Sequence, residues 1–182
     1  MKKKIIPLHK PSFFGNELKY IKKCIDTEWV CEGNYIQSFE KKIKEFTGAK
    51  FAVACSNGTA ALHVALKING VSINDEVIVP SLTFIAPVNS IIYNLAKPIF
   101  FDSDDHFSIN IKDVISFLEN NTKIIYKKNK NKKIKYCVNK KTNRIIKAIV
   151  VVHIFGNAVN LDDLVRVCKR KNIKIIEDAA ES

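Results

Sequence analysis

From Glu76 onward, short β-branched apolar runs alternate with helix-length amphipathic stretches, and this alternation decides the fold class. Glu76–Val79, Ile99–Phe101, Lys147–Val152 and the run from Ile173 have the length of strands. Between them lie Ala86–Leu95, a segment carrying Ile111, Val114, Ile115 and Leu118 behind Asn110, and Leu161–Lys171. Pro87 fits only a first helical turn. Asn160 with Asp163 suggests a capping box, and Lys169, Arg170 and Lys171 suit a helix C-terminus. Strands joined through helices of this length predict an α/β fold: a mostly parallel sheet with helices on both faces.

Two helices are predicted upstream. One starts behind Asn16 as N-cap and carries Leu18, Ile21 and Ile25; the other carries Ile36, Phe39, Ile43 and Phe46 and stops at Gly48. Trp29–Asn34 reads as the turn between them, and Pro7–Phe14 as irregular. Residues 1–48 are accordingly read as an N-terminal helical segment and 49–182 as part of a large domain, with Phe51–Cys55 as its first strand. Residues 121–146 interrupt the alternation. There, KIKYCV and RIIK flank Asn139–Asn143 as a lysine-rich hairpin insert.

Charge follows the same division. The chain of 182 residues carries +12, yet ten Lys or Arg and no acid lie between Lys127 and Lys147. The remainder, 20 basic against 18 acidic residues, is nearly neutral. With only Tyr126 and Tyr136 as stacking partners, the tract reads as a solvated hairpin and not as a nucleic-acid site. Cysteines at 24, 31, 55, 137 and 168 form no CxxC pair, so neither a disulfide framework nor a zinc site is encoded. Histidines 9, 63, 106 and 153 lack ligand spacing, and Asp102–Asp105 lacks the glycine and distal glutamate of a calcium loop, so no metal is expected. No apolar run reaches membrane-spanning length or forms a signal peptide, and a cytoplasmic location is expected.

Two stretches carry chemistry. In Ser56-Asn57-Gly58-Thr59, a turn before an apolar helix presents Gly58 and Thr59 at a helix N-terminus, where free N–H groups and the dipole favour a phosphate. In IKIIEDAAES, Asp178 emerges at the C-terminal edge of a buried strand, where open α/β sheets place ligands, with Glu177 aimed the opposite way. A carboxylate there needs a cationic partner. Phe84, in the exit loop of the 76–79 strand, is placed to stack on a flat ring. A phosphorylated ring with a protonated nitrogen, pyridoxal phosphate, satisfies all three. Taken singly each has a plainer reading: an ordinary turn, a solvated acid or helix cap, a core aromatic.

In order, GAKFAVACSNGTAALHVAL, DEVIVPSLTFIAPVNSIIYNLAKPIFFD, VVHIFGNAVNLDDL and IIEDAAES resemble the N-terminal half of the DegT/DnrJ/EryC1/StrS aminotransferases, fold-type-I pyridoxal-phosphate enzymes that mostly aminate nucleotide-linked keto sugars. NELKYIKKCIDTEWV and TFIAPVN look most like the branch acting at C4 of a UDP-linked 4-keto-6-deoxy-N-acetylhexosamine, on routes to bacillosamine or legionaminic acid. The resemblance implies that Gly58 and Thr59 hold the cofactor phosphate, Phe84 stacks on the ring and Asp178 pairs with the ring nitrogen. It places Glu181 at the cofactor's phenolic oxygen, where many members carry Gln or His; an ionised Glu there must be protonated, turned away or paired. It also implies glutamate as amino donor and a homodimer. The family's Schiff-base lysine belongs to an SxHxxK-like segment beyond Ser182, as does the C-terminal small domain. The expectation is therefore a truncated large domain, catalytically inactive alone. The alternatives are a dehydratase of the same family and a non-catalytic partner chain.

Overall fold

The computed structural model describes residues 6–7, 10–29, 33–129 and 132–182, the side chains of 129 and 132 excepted. The chain divides into two compact units, Met1–Ala54 and Cys55–Ser182.

The first unit holds α1 (Glu17–Asp26) and α2 (Asn34–Thr47). Gly48 ends α2 in the left-handed conformation that a non-glycine residue adopts only at a cost. Asn16 stands at the N-cap position of α1 without capping through its side chain; the Glu17 carboxylate takes the Gly15 N–H instead, at 2.9 Å. Of the expected Trp29–Asn34 turn, residues 30–32 lie outside the described set, as do Cys31 and His9. The strand expected over Phe51–Cys55 does not form, and Phe51 and Val53 are exposed. A strand needs a ladder partner for its N–H and C=O groups. Here Ala54 N–H goes to Glu40 Oε1 at 2.8 Å, a side chain in place of a ladder.

The second unit is a six-stranded sheet between two helical layers. Its strands are β1 (Glu76–Pro80), β2 (Lys97–Phe101), β3 (Thr122–Asn129), β4 (Lys132–Asn139), β5 (Ile145–Val152) and β6 (Lys174–Asp178). They run in the order β2-β1-β5-β4-β3, with β6 also beside β5. β2, β1, β5 and β6 pair in parallel; β3–β4 and β4–β5 pair antiparallel. The sheet is thus a parallel core with an antiparallel hairpin on one flank.

α3 (Gly58–Ile68) and α4 (Ile85–Tyr93) cover one face, and α5 (Ile111–Asn120) and α6 (Asp162–Lys171) the other. Strand alternation distributes side chains between the two cores. Val77, Val79, Ala148, Val150, Val152 and Ile176 join Leu62, Leu66 and Ile91 under α3 and α4. Ile78, Ile146, Ile149 and Val151 join Val114, Leu118, Leu164 and Cys168 under α5 and α6. Ile146 and Ala148 share parity yet face opposite ways because the β1–β5 register shifts between them. The extra residue is Lys147, a bulge that reverses the alternation.

Two local expectations change. Thr122–Asn129, placed within the lysine-rich insert without a strand of its own, forms β3, which pairs along its full length with β4. Ile124 and Ile125 supply the β-branched content that the surrounding lysines mask in the sequence. At α6 no capping box forms: Asn160 Oδ1 accepts the Asp162 N–H at 3.1 Å, and Asp163 pairs with Arg166. The Asn57 and Asn110 caps form, accepting from Ala60 N–H at 2.8 Å and Asp113 N–H at 3.3 Å. Among the described residues, no helix is long and apolar enough to cross a membrane.

Candidate cofactor site

α3 begins at Gly58, and its first turn has donors to spare. The Asn57 side chain takes the Ala60 N–H, and the Asn57 carbonyl takes the Ala61 N–H at 3.1 Å. The N–H groups of Gly58 and Thr59 have no acceptor among the described residues. A Cβ on Gly58 would meet nothing within 4 Å, so the approach to these donors is open.

The location of this turn follows from the path of the chain. After α3, Val71 enters the core and the chain reaches the start of β1 within a few residues, so α3 runs back along the sheet and begins near its C-terminal edge. β1 leaves at that same edge. Its exit loop is held by Ser81, whose N–H reaches the Phe101 carbonyl at 2.8 Å and whose hydroxyl reaches Asp102 at 3.2 Å. The loop ends at Phe84, the N-cap residue of α4, which is 69% exposed and can accept a flat partner on its ring.

Asp178 closes β6, opposite Val152 in register. Ile176 belongs to the α3–α4 core, so Asp178, two residues on, projects to that face, while Glu177 projects to the other. Asp178 is half-buried; its Oδ1 accepts the Ala180 N–H at 3.2 Å, and among the described residues no basic side chain pairs with it. One edge of one face therefore carries two free donors, an exposed aromatic ring and an uncompensated carboxylate.

Glu181 is paired. Its Oε2 accepts the N–H of Phe155 at 2.6 Å. Phe155 has a φ of 56°, a left-handed value, and its ring meets Phe107 edge-on at 5.9 Å. Sequence reasoning weighed His153 only as a metal ligand; it is 7% exposed and bonds Glu177 through Nε2 at 3.0 Å. Its available signal was position: a histidine directly after a buried strand, with a free acid ending the neighbouring one. A polar cavity of about 820 Å³, lined by Asp104, His106, Lys112 and Asn160 among others, touches the start of α5 and so lies on the opposite face from Phe84.

Compared with known proteins, residues 12–182 match the description "DegT/DnrJ/EryC1/StrS aminotransferase family". The chain belongs to this family. Its members use pyridoxal phosphate. The family's representatives include GDP-perosamine synthase of Escherichia coli O157:H7, 39% identical over 181 residues, which cover 98% of this chain and 43% of that protein. The spore coat polysaccharide biosynthesis protein SpsC of Bacillus subtilis (strain 168) is 32% identical, covering 97% of this chain and 40% of its own length. A family aminotransferase from Brucella abortus, known from its crystal structure, superposes with a TM-score of 0.77 at 30% identity, over 92% of this chain and 41% of that one. The chain thus spans under half the length of the family relatives it matches.

The residues at the sheet edge fit the family's cofactor on chemical grounds. Free N–H groups at a helix start suit a phosphate, an exposed phenylalanine suits a heteroaromatic face, and an unpaired carboxylate suits a protonated ring nitrogen.

Proposed function

We propose that the protein carrying this chain transfers an amino group from an amino acid, glutamate by preference, to a nucleotide-linked 4-keto-6-deoxy sugar, in the synthesis of a surface polysaccharide or glycan. The observation that carries this reading is the convergence of Gly58, Thr59, Phe84 and Asp178 on one edge of one sheet face. In it, the Gly58 and Thr59 N–H groups bind the cofactor phosphate, Phe84 packs on the ring, and Asp178 keeps a proton on the ring nitrogen. Bound there, pyridoxal phosphate supplies an electron sink for breaking the donor's Cα–H bond. The Glu181 carboxylate accepts the Phe155 N–H, a pairing that would offset an ionised acid placed near the cofactor's phenolic oxygen. Residues 49–182 are the front part of the cofactor-binding domain in this reading, and the enzyme is a homodimer. The names of relatives involved with GDP-perosamine and spore coat polysaccharide support the sugar-nucleotide assignment.

The test incubates the full-length protein with pyridoxal phosphate, glutamate and a GDP- or UDP-linked 4-keto-6-deoxy sugar. The expected products are the amino sugar nucleotide and 2-oxoglutarate, found together by mass spectrometry. Cofactor binding without either product, from both nucleotides, would refute the assignment.

A further inference from the structure

Asp178 projects to the α3–α4 face, but what fixes it lies on the opposite one. His153 follows β5 as Glu177 and Asp178 end β6, and the two strand ends are tied three times. The His153 N–H donates to the Asp178 carbonyl at 3.0 Å. The His153 imidazole meets Glu177 Oε2 at 3.0 Å. Further along the two loops, two residues past His153 and three past Asp178, the Phe155 N–H donates to Glu181.

The imidazole is itself oriented. Its Nδ1 accepts the N–H of Val159 at 3.2 Å, which requires an unprotonated Nδ1 and leaves the proton on Nε2, facing Glu177. The histidine is 7% exposed and can take up few other rotamers in its packed setting. The turn that carries it is also rigid. Phe155 is left-handed, and Gly156, at a φ of +78°, passes so close to the 181 carbonyl that a Cβ would stand 2.9 Å from it.

We infer that His153 is a positioning residue for Asp178, acting through Glu177: it clamps the last peptide of β6 from behind so that the Asp178 carboxylate is held towards the cofactor's ring nitrogen. Two contacts from one residue, main chain to Asp178 and side chain to Glu177, fix the rotation of that peptide, and with it the direction of the Asp178 Cα–Cβ bond. Loss of the side-chain contact leaves the strand end held by its main-chain bonds and the Phe155–Glu181 contact alone, and the carboxylate gains freedom. This inference rests on the cofactor reading above.

The experiment measures the affinity of the full-length protein for pyridoxal phosphate and the ¹⁵N shift of the bound ring nitrogen, for wild type, D178A, H153A, E177A and E177Q. Glu177 has a half-exposed side chain, so E177A remains informative if H153A fails to fold. H153A and E177A are expected to bind about tenfold more weakly, with the ¹⁵N shift displaced towards unprotonated pyridine. E177Q, which can still accept from Nε2–H, should restore both to near wild-type values. A purely structural role would lower the melting temperature and leave the ¹⁵N shift of the bound cofactor unmoved; that result overturns the inference. Wild type and D178A differing while E177A matches wild type would also overturn it, leaving the cofactor reading intact. A wild-type protein that binds no pyridoxal phosphate would overturn both.

Discussion

The Phe155 N–H and the Glu181 carboxylate lie 2.6 Å apart, joining the loop after β5 to the loop after β6. Glu181→Gln keeps an acceptor and should leave stability within about 0.5 kcal/mol, whereas Glu181→Ala should cost about 1 kcal/mol, the pair being solvent-exposed. Gly156→Ala should cost more, about 2 kcal/mol, because it adds left-handed strain to a contact with the 181 carbonyl. Urea denaturation of the three variants gives the order directly.

In the proposed cofactor site, Asp178 supplies the charge that a protonated ring nitrogen requires. Asp178→Asn keeps the shape of the side chain and removes the charge, and should lower amino transfer by at least about a hundredfold, the scale of a lost buried charge partner. Cofactor affinity should fall less, because the phosphate site proposed at Gly58 and Thr59 is untouched. Turnover and equilibrium dialysis separate the two effects.

Burial pushes the Cys168 thiol up from 9.0 to about 12, the neighbouring Cys137 adding to the effect, and burial likewise raises Cys137. In the unfolded chain both ionise at their ordinary value. Between pH 9 and 12 the unfolded state therefore holds fewer protons than the folded one, and stability falls as pH rises through that window, with full stabilisation retained below it. The slope for Cys168 alone should approach about 1.4 kcal/mol per pH unit. Cys168→Ala should flatten it. In native protein at pH 8, a thiol reagent should label exposed Cys55 and spare Cys137 and Cys168 until denaturant is added.

Lys128 stands directly opposite Lys133 across the β3–β4 hairpin, a like-charge pair that weakens the ladder. Lys128→Glu should stabilise the protein by about 0.5 kcal/mol in low salt. Added salt should help wild type more than the variant, because it screens repulsion in one and attraction in the other. Thermal melts at two ionic strengths would show it, and equal salt responses would remove the repulsion argument.

Periodicity made most of the parallel core readable. Val77–Val79 and Ala148–Val152 are buried on both faces, which calls for the continuous apolar runs seen in the sequence, and the run ending at Asp178 buries Ile176 between more exposed neighbours. The turn at Gly58 and the opposed directions of Glu177 and Asp178 were readable for the same reason, since both follow from strand and helix geometry. Phe51–Cys55 was misread because its composition suits a strand while its partner is a matter of tertiary structure. β3 was missed because its stability comes from β4 across a turn, a pairing that a lysine-rich tract does not advertise. His153 escaped because its role depends on Glu177, 24 residues away in sequence and adjacent in space.

β4 and β6 share one flank of β5: β4 borders Ile145 and Ile146, and β6 takes over from Ala148. Beyond Cys137 the hairpin has already left that flank; Lys135 still meets Arg170 and Asn172 at the end of α6, and among the described residues the outer part of the hairpin pairs within itself. Lengthening, trimming or replacing it should leave the cofactor edge undisturbed. The far end of β3 and β4 is accordingly the natural place to graft an epitope or fluorophore, and lineages of this protein would be free to diversify there first.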